Sequence, residues 1–194
     1  MANTQVIFKG NVMDVLIYKN EEDWQSVPET EGLISKWELE TDIKLPKDYR
    51  AFMVKYNGGR PYPCLFKHNV PKELWQMDDD DTVLLGSIYD WKYALERCGD
   101  RLEFDEIPAK SIIIGTDPGG TELGLSMEEN SFGKVYLIYF AVGPEDDEPV
   151  MRTSLLANSF REFVFEKLYE NTDQDGHDYW FRRNQEHLTR KVEF

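Results

Sequence analysis

Cysteine is scarce in this sequence: Cys64 and Cys98 are the only two in 194 residues. Their separation matches no metal-binding spacing, and two are too few for a disulfide-stapled scaffold, so each is expected to be a buried free thiol. Histidine is nearly as scarce. His68, His177 and His187 stand outside any H-E-x-x-H or C-x-x-C context, and no zinc site is expected. Basic residues are heavily outnumbered, 22 Lys and Arg against 37 Asp and Glu, for a net charge of -15. That balance argues against a general nucleic-acid binder, which needs cations to displace the counterions of phosphate, and against an anionic membrane surface. No apolar run reaches the roughly 18 residues of a membrane span, and no basic stretch followed by an apolar run opens the chain. The expected compartment is the cytoplasm. A G-x-S-x-G nucleophile elbow is also missing, neither cysteine has a catalytic context, and no enzymatic activity or cofactor is expected.

What is there is the material of a folded protein. Hydrophobic residues make up 41% and aromatics 13% of the chain, enough for a sizeable core. Residues 5 to 18 read as one or two short strands broken at Gly10-Asn11, and the acidic residues 20 to 31 as a loop. A helix is expected from Glu31 to Thr41, with Leu33, Ile34 and Trp37 on one face. Leu45-Pro46 opens the clearest helix: Tyr49, Phe52, Met53 and Tyr56 form one apolar stripe, and Asn57-Gly58-Gly59 ends it with a glycine cap. Thr82 to Leu85 reads as a strand and Ser87 to Cys98 as a helix carrying Ile88, Trp91 and Leu95. Ile112 to Ile114, Leu123 to Ser126 and Val135 to Phe140 form an antiparallel meander. Gly143 to Pro149 is an acidic loop. Ser159-Phe-Arg-Glu162 is a capping box that starts a helix to about Tyr169. Helices first, then a meander, then a closing helix make an α+β fold, a mostly antiparallel sheet with helices packed on it.

Two stretches imitate ligand loops. In "IIIGTDPGGTELGLS", residues 112–126, glycines follow a strand as they do in phosphate loops. Such loops need a lysine after the glycines, or a helix straight after the turn. Here Thr121-Glu122 puts an acid where the cation belongs, and Leu123-Gly124-Leu125 continues as a strand. The reading is a strand–turn–strand in which Gly119 or Gly120 takes a positive φ. In "NTDQDGHDYWFR", residues 171–182, Asn171, Asp173, Asp175 and Gly176 occupy the first, third, fifth and sixth positions of a calcium loop. The twelfth, which should be a bidentate glutamate, is Arg182, so a solvated polar turn is expected and no metal.

Four blocks in order resemble the SUKH superfamily, the Smi/Knr-like proteins. They are Leu45-Pro46-Lys47-Asp48-Tyr49-Arg50-Ala51-Phe52-Met53 with Tyr56-Asn57-Gly58-Gly59 and Pro61; Ile114-Gly115-x-Asp117-x-Gly119-Gly120-x-x-Leu123-x-Leu125; Gly133-Lys134-Val135-Tyr136; and Ser159-Phe160-x-x-Phe163. The resemblance spans roughly residues 33 to 170, departing at Thr121 and Ser126, where many relatives would carry an acid. It implies the same α+β fold, with 31–170 as the SUKH-like domain; residues 1–30 form an N-terminal and 171–194 a C-terminal extension outside the matched region, read either as partner-specific decoration or as strands added to the sheet. It also implies a bacterial immunity protein that binds and neutralises a cognate toxin domain, often a nuclease or deaminase. Fungal relatives are linked instead to regulation and signalling, so an intracellular regulatory or scaffold module is the alternative. The resemblance transfers no catalytic residue. From charge and expected exposure alone, the surface for a basic protein partner is expected at Trp75, Asp78, Asp79, Asp80, Asp81, Trp91, Glu122, Glu128 and Glu129, where aromatics anchor and carboxylates steer.

Overall fold

The stripe read after Pro46 becomes helix α3, Lys47–Tyr56. Tyr49, Phe52, Met53 and Tyr56 are all 0% exposed. Phe160 packs 5.0 Å from both the Tyr49 and Phe52 rings, tying α3 to the closing helix. The computed structural model describes residues 14–19, 21–25, 27–75, 81–103, 110–143, 146–170 and 188–194.

The end of α3 differs from the expected glycine cap. Asn57 itself takes the left-handed conformation, φ 48°, with its N–H donating to Met53 O at 2.7 Å. Asparagine tolerates this region because its short amide can bond locally. Here its Oδ1 accepts from the backbone N–H of Trp91 at 2.8 Å, where the next helix begins, so one residue serves two helix ends. The last carbonyls of α3 have a second partner. The buried Lys19 ammonium donates to Tyr56 O at 3.0 Å and Asn57 O at 2.8 Å. A cation there suits the negative end of the helix dipole, although desolvation lowers the Lys19 pKa.

Residues 20–31, expected as a loop, instead hold helix α1, Glu21–Gln25, and the start of α2, Val27–Thr41. The composition is acidic, but Pro28 and Glu29 lie in the first turn of α2, where proline loses no hydrogen bond and a carboxylate complements the dipole. Trp24 and Ile34 go into the core. Glu38 of α2 is also buried and accepts from Leu45 N at 3.0 Å, which pins the connection into α3.

Strand β1, Leu16–Lys19, pairs antiparallel with β2, Arg60–Tyr62, and with β10, Leu188–Lys191. These three form a sheet of their own, and β3, Leu65–Lys67, pairs with β4, Thr82–Leu84, in a second small sheet. The main sheet runs in the order β5 (Ser87–Ile88), β6 (Ser111–Thr116), β7 (Glu122–Ser126), β8 (Val135–Ala141), β9 (Val150–Ala157), antiparallel throughout. The α+β fold class is as the sequence predicts. Several elements are not. Ser87-Ile88 is a strand, held by reciprocal bonds between Ile88 and Gly59 of 2.9 and 2.8 Å. Helix α4, Trp91–Glu103, starts only after Asp90, whose Oδ1 accepts from Tyr93 N at 2.9 Å. Strand β9 falls in a stretch where the sequence gives no clear alternation. Ser159 caps the helix as expected, its Oγ accepting from Glu162 N at 3.0 Å, but Glu162 Oε2 accepts from Asn158 N at 3.0 Å, one residue before the cap, and not from Ser159 itself. The closing helix is shorter than expected: α5, Phe160–Glu162, passes into a π turn over Phe163–Lys167. Residues 1–13 and 171–187, which include most of the first expected strands and the calcium-like stretch, lie outside the described residues.

Neither cysteine is in a disulfide, as expected, and Cys98 is buried while Cys64 is partly buried. Burial pushes the Cys64 thiol up from 9.0 to about 12 and the Cys98 thiol up to about 11. Burial also raises Tyr49 and Tyr62. Groups whose folded pKa is raised contribute stability that is full below the unfolded value and lost as pH rises through the folded one. Lys19, shifted the other way, opposes this as a single group. The urea midpoint should therefore fall between pH 8 and pH 11, and both thiols should resist a thiolate-selective reagent at pH 8 until the chain is unfolded. A midpoint that rises over this range would contradict the burial of these groups.

Candidate functional site

The glycine-rich stretch folds as a hairpin loop between β6 and β7. Asp117 N donates to Thr121 O at 3.0 Å, and Asp117 Oδ1 accepts from Thr121 N at 2.7 Å. Gly120, not Gly119, takes the positive φ, 90°. Asp117 thus fastens the loop to itself. Glu122, in the place of the missing lysine, is buried at 3% exposure, and its carboxylate accepts from Arg97 Nε of α4 at 2.7 Å. An internal ion pair stands where a phosphate loop would present its cation.

The nine residues expected at a partner surface separate into groups. Trp91 is 1% exposed and packs edge-on to Trp37 at 5.4 Å, so it belongs to the core. It and Glu122 correct the expectation of exposure: Asn57 and Asp90 set the start of α4 so that Trp91 turns inward, and Arg97 covers Glu122. Trp75 is half-buried, its ring 4.0 Å from His68 and 6.1 Å from Tyr139. Asp81 is exposed, but its carboxylate accepts from Lys67 Nζ at 2.9 Å, which offsets its charge. Asp78, Asp79 and Asp80 lie outside the described residues. Glu128 and Glu129 are exposed just past the end of β7, at the entrance to a short 3-10 turn over Glu129–Ser131.

Glu128 leads to a feature that sequence reasoning missed. Paired residues of antiparallel strands share a face. Glu122, Gly124 and Ser126 of β7 therefore lie on one face with Tyr136 and Ile138 of β8 and with Thr153 and Leu155 of β9. Gly124 and Ser126 are small, and beside them the face sinks into a depression of about 200 Å³. Ser111, Gly124, Ser126, Glu128, Ser131, Tyr136, Ile138 and Thr153 line it, and none is basic. Phe140 and Leu155, on the same face, remain 44% and 42% exposed. Ser126 Oγ and Ser131 Oγ bond each other at 2.7 Å, and Glu128 N donates to Ser126 Oγ at 3.2 Å, which holds Glu128 at the rim. Arrangement of an acid, hydroxyls and exposed apolar side chains on a sheet suits recognition of a protein surface better than bond-making chemistry.

Among the described residues no group of three or more His, Cys, Asp or Glu is placed to hold a metal ion, and no helix is long and apolar enough to cross a membrane. No solved structure matches the chain. A curated relative, the SPbeta prophage-derived uncharacterized protein YokK of Bacillus subtilis (strain 168), is 30% identical over 156 residues, covering 73% of this chain and 77% of that protein. Residues 28–166 match the SMI1 / KNR4 family (SUKH-1), and with well over half of its length matched the chain belongs to that family.

Proposed function

We propose that the chain is an immunity protein that binds a cognate toxin domain, a nuclease or another nucleic-acid-modifying enzyme, and occludes its cleft without chemistry of its own. The observation that carries this reading is membership of the SUKH-1 family joined to a net charge of -15. A toxin that works on nucleic acid needs a basic groove for phosphate, and an acidic protein competes for that groove. A relative derived from a prophage accords with a gene that protects its carrier. On this reading Asp78 to Asp80, Glu128 and Glu129 steer the partner in, Asp81 adds little because Lys67 offsets its charge, and Trp75, Phe140 and Leu155 supply apolar contact. Trp91 and Glu122 serve the core.

The test is co-purification with the C-terminal domain encoded by the adjacent reading frame, followed by association kinetics. A complex should form at micromolar concentration, and Glu128→Lys with Glu129→Lys should slow association by about tenfold at low salt and far less at high salt. Unchanged rates at low salt would remove this rim from the interface. A stable complex with a partner that has no toxicity would favour the regulatory-module alternative.

A further inference from the structure

The depression beside Glu128 lacks one thing its chemistry calls for, a cation. We infer that it is a receptor for a single arginine side chain of the protein partner, an inference that rests on the immunity reading for the partner's identity but not for the chemistry. Its volume, about 200 Å³, is below the roughly 300–1,000 Å³ of clefts that hold drug-sized ligands. It suits one side chain. The lining offers the Glu128 carboxylate at the rim, the Tyr136 aromatic wall, and the Ser111 and Thr153 hydroxyls, over a floor opened by Gly124. Among the described residues none of the side chains of Glu128, Tyr136, Ser111 and Thr153 makes an ion pair or hydrogen bond within the protein.

These groups are complementary to guanidinium rather than ammonium. A guanidinium is planar, stacks on an aromatic, and carries five donors that a carboxylate and hydroxyls can share. The same face already holds one such pair. At the other end of β7, Glu122 accepts from Arg97, an arginine supplied by α4. Glu128 sits beyond the opposite end, where no cation among the described residues meets it. A partner arginine entering there would complete the second pair and bring the surrounding protein surface onto Phe140 and Leu155.

The probe is N-acetyl-arginine methylamide, titrated into the full chain labelled with nitrogen-15, with the citrulline and lysine analogues as comparisons. The arginine probe should give saturable shifts at the amides of Gly124, Ser126, Glu128 and Tyr136. The neutral citrulline analogue should give none, and the lysine analogue should bind several-fold more weakly. Glu128→Gln should weaken the arginine probe at least threefold with the rest of the spectrum unchanged. Tyr136→Leu should narrow the gap between arginine and lysine. Shifts scattered over all exposed acids, or unaffected by Glu128→Gln, would overturn the site, and equal binding of lysine would overturn its assignment to arginine. Saturable arginine binding together with no toxin complex would leave this site standing and sink the immunity reading. The reverse pair of results would do the opposite.

Discussion

Gly58→Ala is expected to cost at least about 4 kcal/mol, a large share of the roughly 5–15 kcal/mol that holds a domain folded. Two effects add. Gly58 has φ 75°, where an L side chain is strained by about 1 kcal/mol. Steric overlap costs more. A Cβ on Gly58 would lie 2.4 Å from the Tyr89 carbonyl oxygen and 2.6 Å from that of Ile88, and both are backbone. They cannot move without disturbing β5 and its bonds to Gly59. Gly120→Ala is the control, because Gly120 has φ 90° and nothing within 4 Å of its Cβ direction. It should cost about 1 kcal/mol, the backbone strain alone. Urea midpoints of the two variants separate strain from overlap, and equal losses would show that the close approach of Tyr89 does not govern the turn.

Arg97→Met is expected to cost about 2–3 kcal/mol, because it removes a guanidinium that donates at 2.7 Å to the buried Glu122 carboxylate. A fully buried pair loses about 3–5 kcal/mol when one partner is removed. The smaller figure follows from Arg97, whose side chain is 30% exposed and so partly screened by water, against 4% for Glu122. Adding Glu122→Gln should recover at least half of the loss, since a neutral amide is cheaper to bury than a carboxylate that has lost this guanidinium. Urea unfolding of both singles and the double variant measures the coupling. A single Arg97→Met variant within about 0.5 kcal/mol of the parent, the range of ordinary surface substitutions, would show that the pair carries no structural weight.

The sequence is most readable where the physics is local. The α3 stripe repeats with the helical period, the Ser159 cap and its glutamate are three residues apart, and the Asp117–Thr121 turn closes on itself. Each can be read from one short window. It is least readable where a residue answers to a distant one. Trp91 looks like an exposed anchor until Asn57 and Asp90 set the phase of α4, and Asn57 is 34 residues away. Glu122 looks like a surface acid until Arg97, 25 residues earlier in the chain, is placed against it. The depression depends on register, because Gly124 matters only once it is paired with Tyr136. Small residues on a strand, Gly124 and Ser126, were the one signal available for it, and alone they do not tell a concave face from a crowded one.

The central claim, that this member of the SUKH-1 family protects against a toxin, is tested most directly by growth. The C-terminal domain encoded by the adjacent reading frame is induced in a sensitive host, alone and with this chain, and survivors are counted. Protection by the parent chain, reduced by Glu128→Lys with Glu129→Lys at equal protein level, is the predicted result. Killing that proceeds unchanged with the folded parent chain present would contradict the account.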